Sequence, residues 1–136
     1  MLDEIRVAVL GTGFGAAVHL PAIRQVPELR AMGVCSRRAE RAHDVAREFG
    51  APLATTDFRE LVKRPDIDAV IVATPPHLHH TMVLTALDAG KHVLCEAPMA
   101  KTFAEARDMV KMAERAGVAT MAVSYTHLTL PTKRIV

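Results

Sequence analysis

The sequence predicts an α/β fold, a doubly wound parallel sheet of about six strands in the order 3-2-1-4-5-6. Three observations predict it. Short apolar, often β-branched runs recur along the chain and read as strands buried on both faces. Segments of helical periodicity separate them, and a glycine-rich turn joins the first run to the first helical segment. Right-handed crossovers then put helices on both faces of one sheet, and that architecture takes this strand order.

"IRVAVL" (Ile5–Leu10) is the first strand, ending at Gly11. After the glycines, "AAVHLPAIRQV" (16–26) has helical periodicity, with Pro27 just beyond it; Pro21 inside it should kink the helix or mark a first turn. "AMGVC" (31–35) is the second strand, followed by the helix "AERAHDVAREF" (39–49), whose Ala42, Val45, Ala46 and Phe49 form one stripe closed by Gly50. "PLAT" (52–55) is a short third strand. Asp57 and Glu60 then form a capping-box pattern opening the brief helix "FRELVK" (58–63).

"DAVIVAT" (68–74) is the strongest strand signal, and in "HLHHTMVLTALDAG" (77–90) Leu78, Met82, Ala86 and Ala89 recur at helical spacing before Gly90. "KHVLCE" (91–96) is the fifth strand. A second capping box, Thr102 with Glu105 in "TFAE", starts a helix running to Ala116 and stopped by Gly117. "VATMAV" (118–123) is the sixth strand.

With 136 residues, half of them hydrophobic, the chain can bury one core. Its 17 Lys and Arg are balanced by 15 Asp and Glu scattered along the sequence, so no basic block points to nucleic acid. No apolar stretch approaches the roughly 20 residues a membrane helix needs, and "MLDEIR" has no basic leader, so the expectation is a cytoplasmic protein with no membrane partner. Cys35 and Cys95 end strands that are not neighbours in the predicted order; both are expected to be free, buried thiols.

In "VAVLGTGFGAAVH", Gly11, Gly13 and Ala16 have the G-x-G-x-x-G/A spacing between a strand and a helix, the context that makes this motif informative. Gly11 permits the tight turn, Gly13 lets backbone approach a pyrophosphate, and Ala16 allows the helix to pack closely on the strand. Thr12, Phe14 and Gly15 complete the cofactor-binding turn, Gly15 as an extra, flexible position. The plain alternative is a tight turn that binds nothing.

A site that prefers NAD usually ends its second strand with a carboxylate for the ribose hydroxyl. Here "VCSRRAER" supplies Ser36, Arg37 and Arg38 instead. A hydroxyl and a planar guanidinium suit a 2′-phosphate, which predicts NADP over NAD; the alternative is a solvated face of the next helix. An S-adenosylmethionine methyltransferase would also fit the glycine turn, but it predicts an acidic residue where Ser36 and Arg37 stand.

"TPPHLHHT" follows the fourth strand at the mouth where ligands meet. His77 and His80 share a helical face, His79 points elsewhere, and no Cys or carboxylate nearby completes a ligand set, so no metal is predicted. The histidines cap the helix start or, for His79, act near the cofactor. "VLCEAPMA" ends the fifth strand with Glu96, Ala97 and Pro98, a carboxylate at the ligand-facing edge of the sheet or else a capping or solvated group.

These stretches together resemble the N-terminal half of the Gfo/Idh/MocA oxidoreductases, the glucose-fructose oxidoreductase and inositol dehydrogenase family. The resemblance covers about residues 5–122 and is carried by "VAVLGTGFGAAVHLPAI", "DAVIVATPPHLHHTMVLTALDAGKHVLCEAPMA" and "TFAEARDMVKMAERAGV". It implies a Rossmann domain in which Gly11, Gly13, Ser36 and Arg37 contact the dinucleotide while Thr74, Pro75, His79, Glu96 and Pro98 line the nicotinamide end. It implies hydride transfer between NAD(P) and a hydroxyl carbon of a sugar, cyclitol or related polyol, in a small-molecule enzyme that can be a homo-oligomer. In the family the motif here commonly reads Glu-Lys-Pro, with the lysine near the reacting centre. This chain has Ala97, and no other residue in the sequence obviously replaces that lysine, so its catalytic residues stay unknown and a non-catalytic dinucleotide-binding sensor or regulatory subunit is the second reading.

The run Val123 to Thr132, "VSYTHLTLPT", resembles the translation of a transposase mosaic-end sequencing adapter. The resemblance implies a cofactor domain over 1–122, a non-native tail over 123–136 in which Tyr125 and His127 have no catalytic meaning, and a substrate domain missing from the chain. The cofactor domain would then expose a surface that normally packs against that partner and would itself be inactive.

Overall fold

A computed structural model of the chain describes residues 3–123. Six strands, β1 (Ile5–Leu10), β2 (Leu29–Cys35), β3 (Leu53–Thr55), β4 (Ala69–Val72), β5 (His92–Cys95) and β6 (Thr120–Ala122), form one sheet in the order β3-β2-β1-β4-β5-β6. Every pairing is parallel. This is the Rossmann-like α/β topology that the alternation of strands and helices predicts.

Strand β1 shows why its sequence is apolar without alternation. Val7 and Val9 point into one core with Leu20, Ile23, Val34 and Val45, whereas Ala8 and Leu10 point into the other with Leu61, Val72, Val83 and Met109. Both faces are covered, so no position in the strand can be polar without cost. Helices α1 (Leu20–Gln25) and α2 (Ala39–Phe49) cover the first face; α3 (Phe58–Val62), α4 (His79–Asp88) and α5 (Phe103–Ala116) cover the second. The stripe read from α2 holds, with Ala42, Val45 and Ala46 buried. That of α4 is shifted, because its buried positions are His79, Met82, Val83, Ala86 and Leu87 rather than the set containing Leu78 and Ala89.

The helix after the glycines is two pieces. Gly15–His19 is a π-helical turn, and α1 follows with Pro21 in its first turn, where proline's missing N–H is harmless. Both capping boxes are half-formed as such. Asp57 accepts from Arg59 N at 3.0 Å, but Glu60 turns to Thr55 Oγ1. Thr102 accepts from Glu105 N at 3.2 Å, and Glu105 reaches one residue further back, to Lys101 N.

The sheet is best covered at its centre and least at β6, whose three residues are all exposed. Phe103 (80% exposed) and Met121 (62%) stand on that flank, beside an apolar cavity of about 390 Å³ between α4, α5 and β6. Residues 124–136, including Tyr125 and His127, lie outside the described residues. No helix among the described residues is long and apolar enough to cross a membrane.

Candidate functional site

The carboxyl ends of β1, β2 and β4 open into a cleft of about 850 Å³. Its floor is the glycine turn. Gly11 takes φ = 105°, and a side chain there would place its Cβ 2.4 Å from the Ala73 carbonyl oxygen, so the strand-to-helix turn at this point admits glycine alone. Around Gly13 nothing lies within 4 Å of where a Cβ would stand. That open space lets a ligand meet bare backbone, the role the spacing predicts for this position.

The third packing role is shared with a residue the motif does not suggest. Gly15 is buried, and a Cβ there would come within 2.8 Å of Val9 Cγ1, so Gly15 brings the helix onto β1 while Ala16 packs against the same core. Gly15 is therefore a packing residue and not a flexible extra. The π turn moves the close approach one residue earlier than the linear pattern indicates.

At the β2 end of the cleft, Ser36 Oγ lies 2.9 Å from Thr12 Oγ1, and Arg41 Nη2 donates to the Thr12 carbonyl oxygen at 3.0 Å. Ser36, Arg37, Arg38 and Arg41 all line this end. Among the described residues neither Arg37 nor Arg38 has a side-chain partner, so two guanidiniums face the cleft uncompensated. Arg41 was not predicted from the motif. Its place one turn into α2 is the signal that could have found it, since the start of that helix faces back over the glycine turn.

The other end is organised differently. Thr74 and Pro75 line the cleft, and so does His77. His79, expected beside the cofactor, has no exposed surface: Nε2 lies 2.6 Å from the Thr74 carbonyl oxygen and Nδ1 2.9 Å from that of Pro98. Its ring stands behind the wall of the site and braces the loops after β4 and β5 against each other. Its place in the stripe His79, Met82, Val83, Ala86 is the physical reason, because that face of α4 is turned into the core.

Glu96 is 7% exposed, and Oε1 lies 2.6 Å from Nε2 of His19, a residue the sequence did not single out. The other carboxylate oxygen accepts from Ala97 N at 3.3 Å. The Ala97–Pro98 peptide is cis. Phe14, 44% exposed, packs edge-on against the His19 ring at 5.6 Å and stands outside the cleft lining, as do Glu96 and Pro98.

Both cysteines are free, on strands separated by β1 and β4. Burial, with the charges of Asp57 and Glu60 nearby, pushes the Cys35 thiol up to about 11; burial and the Glu96 charge push Cys95 up to about 12. Among the described residues no three His, Cys, Asp or Glu side chains are grouped to hold a metal ion: His79 is committed to carbonyls, and His80 faces Asp108 at 3.3 Å.

The arrangement offers bare backbone for a pyrophosphate, unpaired guanidiniums for a further phosphate, and a neutral slot walled by braced loops. A model of a family described as an oxidoreductase family with an NAD-binding Rossmann fold, the Gfo/Idh/MocA group, matches residues 5–125. A 4-carboxy-2-hydroxymuconate-6-semialdehyde dehydrogenase of Sphingobium sp. is 34% identical over 117 residues, which are 86% of this chain and 37% of the relative. A scyllo-inositol 2-dehydrogenase (NADP(+)) of Bacillus subtilis is 34% identical over 122 residues, 90% of this chain and 37% of the relative. Among solved structures, a 3-ketoreductase from Actinomadura kijaniata in complex with NADP superposes with a TM-score of 0.84 at 32% identity, over 98% of this chain and 42% of that one. The chain thus spans well under half the length of the relatives it matches.

Proposed function

The chain belongs to the Gfo/Idh/MocA oxidoreductase family, and on that premise we propose that its cleft holds NADP in preference to NAD, as the cofactor half of an enzyme acting on a hydroxyl carbon of a sugar, cyclitol or related polyol. The observation that carries the cofactor choice is the pair of uncompensated guanidiniums, Arg37 and Arg38, beside Ser36 at the cleft's β2 end. A 2′-phosphate placed there gains charge-assisted hydrogen bonds, and no carboxylate lines the cleft to repel it. The amides around Gly13 would hold the pyrophosphate, since the missing side chain there leaves room for contact.

The bound nicotinamide supplies the hydride donor or acceptor; this chain's residues bind and orient it. Thr74 and Pro75 wall the slot, and His79 fixes their loop by holding the Thr74 carbonyl. The relatives that support a polyol-like substrate are the inositol dehydrogenase and the ketoreductase, while the semialdehyde dehydrogenase shows that the family reaches further. Binding without turnover is the expected behaviour of the 136-residue chain by itself.

One observation favours a second reading. Ala97 puts a methyl group where the family resemblance implies a lysine, and the arginines lining the cleft all stand at its β2 end. A dinucleotide-binding sensor needs no proton-handling ammonium; an enzyme needs another group to act. Titrating the chain calorimetrically with NADPH and NADH tests the first reading, which expects NADPH to bind more tightly by about tenfold or more. Equal binding, or none, removes it. Turnover of a polyol by the longer protein would remove the sensor.

A further inference from the structure

We infer that His19 is a positioning residue for the nicotinamide half of the cleft, acting through Glu96 and not by touching the dinucleotide. The inference rests on the dinucleotide reading above and adds to it a residue outside the cleft lining.

His19 closes the π turn that follows the glycines, and Glu96 follows β5. In the sheet, β4 lies between β1 and β5, so the 2.6 Å contact of Nε2 with Oε1 reaches across the edge of β4 to join loops from strands that are not neighbours. Among the described residues it is the hydrogen bond that ties this turn's side chains to the segment after β5. Both side chains are close to buried, at 12% and 9% exposure, so water competes weakly for either partner.

The backbone is shaped to permit the contact. A π turn carries one residue more than an α turn, and one residue is about 100° of helix rotation. Were Gly15–His19 regular α-helix, the His19 side chain would be swung away from Glu96. Gly15 allows the turn to sit tight on Val9, and Phe14 holds the imidazole from its other side. π-Bulges recur at functional sites for this reason, since they re-aim a side chain without breaking the helix.

Glu96 carries the constraint onward through Oε2, which holds the Ala97 amide. From the far side, His79 holds the Pro98 carbonyl. The 96–98 segment is thus gripped by two histidines, one from the glycine-turn side and one from α4. Because residue 97 offers a methyl group alone, this segment can influence a nicotinamide only through where its backbone stands. That segment stands behind the wall at Thr74, to which His79 joins it, so His19 acting through Glu96 sets where the wall is held.

The test measures binding of two probes to the full chain by calorimetry: NADPH, which occupies both halves of the cleft, and 2′,5′-ADP, which occupies the ribose end alone. His19→Ala is expected to weaken NADPH about tenfold and to change 2′,5′-ADP by less than about twofold. His19→Gln, whose amide can still donate to Glu96, should recover most of the loss; His19→Asn, too short to reach, should behave like alanine and replaces it if the alanine variant does not fold. Unchanged NADPH affinity in His19→Ala and His19→Asn overturns the inference, as does an equal loss for both probes, which would mark a purely structural residue. If the unmodified chain binds neither probe, the dinucleotide reading itself fails and takes this inference with it.

Discussion

The two ends of the cleft follow opposite plans. At the β2 end, recognition is exposed and charged: Arg37 and Arg38 reach into the cleft from the surface, unpaired. At the β4–β5 end, the organising groups are hidden, with His79 fully buried, Cys95 at 3% and Glu96 at 7% exposure. The difference follows from what each half would bind. A phosphate brings its own charge and finds a guanidinium even when both are wet, so a mobile arginine suffices. A nicotinamide ring gains and loses its charge as hydride moves, so charge alone cannot hold it in both forms, and its place must be fixed by walls stiffened from behind.

The sharpest way to break that contrast is to remove a brace. His79→Ala deletes a buried ring and leaves the Thr74 and Pro98 carbonyls without their partner, in addition to opening a cavity. The expected cost is about 3–5 kcal/mol, a large share of a small domain's stability, read from denaturant unfolding. A loss below about 1 kcal/mol would show that the β4–β5 end is not held from behind. An arginine at the other end should show the reverse pattern, affinity changing with stability intact.

The glycine turn joins the two ends, and its two key glycines separate stability from binding. Gly11→Ala forces a Cβ against the Ala73 carbonyl in a left-handed backbone and should destabilise the chain by about 2–4 kcal/mol. Gly13→Ala meets no atom within 4 Å and should leave stability within about 1 kcal/mol, yet the methyl group fills the space proposed for the pyrophosphate and should weaken NADPH by about tenfold or more. Thermal melts paired with titrations distinguish the two. Unchanged NADPH affinity in Gly13→Ala would mean that the open space there has no binding role.

At the ribose end, reversing a charge should act on affinity alone. Arg37→Asp is expected to weaken NADPH by about thirtyfold while changing NADH by less than about threefold and leaving unfolding unchanged, since Arg37 is exposed and its side chain makes no hydrogen bond or ion pair with the described residues. Equal losses for both dinucleotides would move the 2′-phosphate to another group, with Arg41 the next to test because it already reaches the glycine turn through the Thr12 carbonyl.

How much of this could be read in the sequence follows the same division. The six strands and their order were legible because burial on both faces writes itself as uninterrupted apolar runs such as "IRVAVL", and the β2 end was legible because Gly11, Ser36 and Arg37 lie at fixed offsets from strand ends. The β4–β5 end was legible only in outline. His19 and Glu96 are 77 residues apart and meet because β1, β4 and β5 stand in that order and because a π turn re-aims one of them, a local irregularity no periodicity announces. Likewise Gly15 shares the packing role that linear spacing gives to Ala16 alone. His79 was misplaced for a simpler reason: a polar residue in a motif draws a functional reading, whereas its spacing to Met82, Val83 and Ala86 marks the buried face.

The two cysteines sharpen the comparison most finely, since each closes the strand at one end of the cleft. Cys35 lines the cleft at its β2 end, and Cys95 lies behind the other wall, 3.3 Å from His79 Nδ1. Burial raises both thiols, to about 11 and about 12, so near neutral pH both are held in the neutral form. Alkylation requires access and the thiolate, so native Cys35, which lines the cleft, should react faster than Cys95, whose thiol faces the His79 ring, and both far more slowly than in the unfolded chain. NADPH should slow Cys35 further and leave Cys95 unchanged. The same shifts set the direction of the pH dependence. Each thiol is held neutral in the folded chain, so the stabilisation is fully present below the ordinary thiol value of about 9 and is lost as pH rises from there toward 11 and 12. Mass-resolved alkylation of the two positions, with and without NADPH, checks the ranking. Cys95 reacting first would mean that the buried end of the cleft opens more readily than the exposed, charged end, and the contrast between the two ends would have to be reversed.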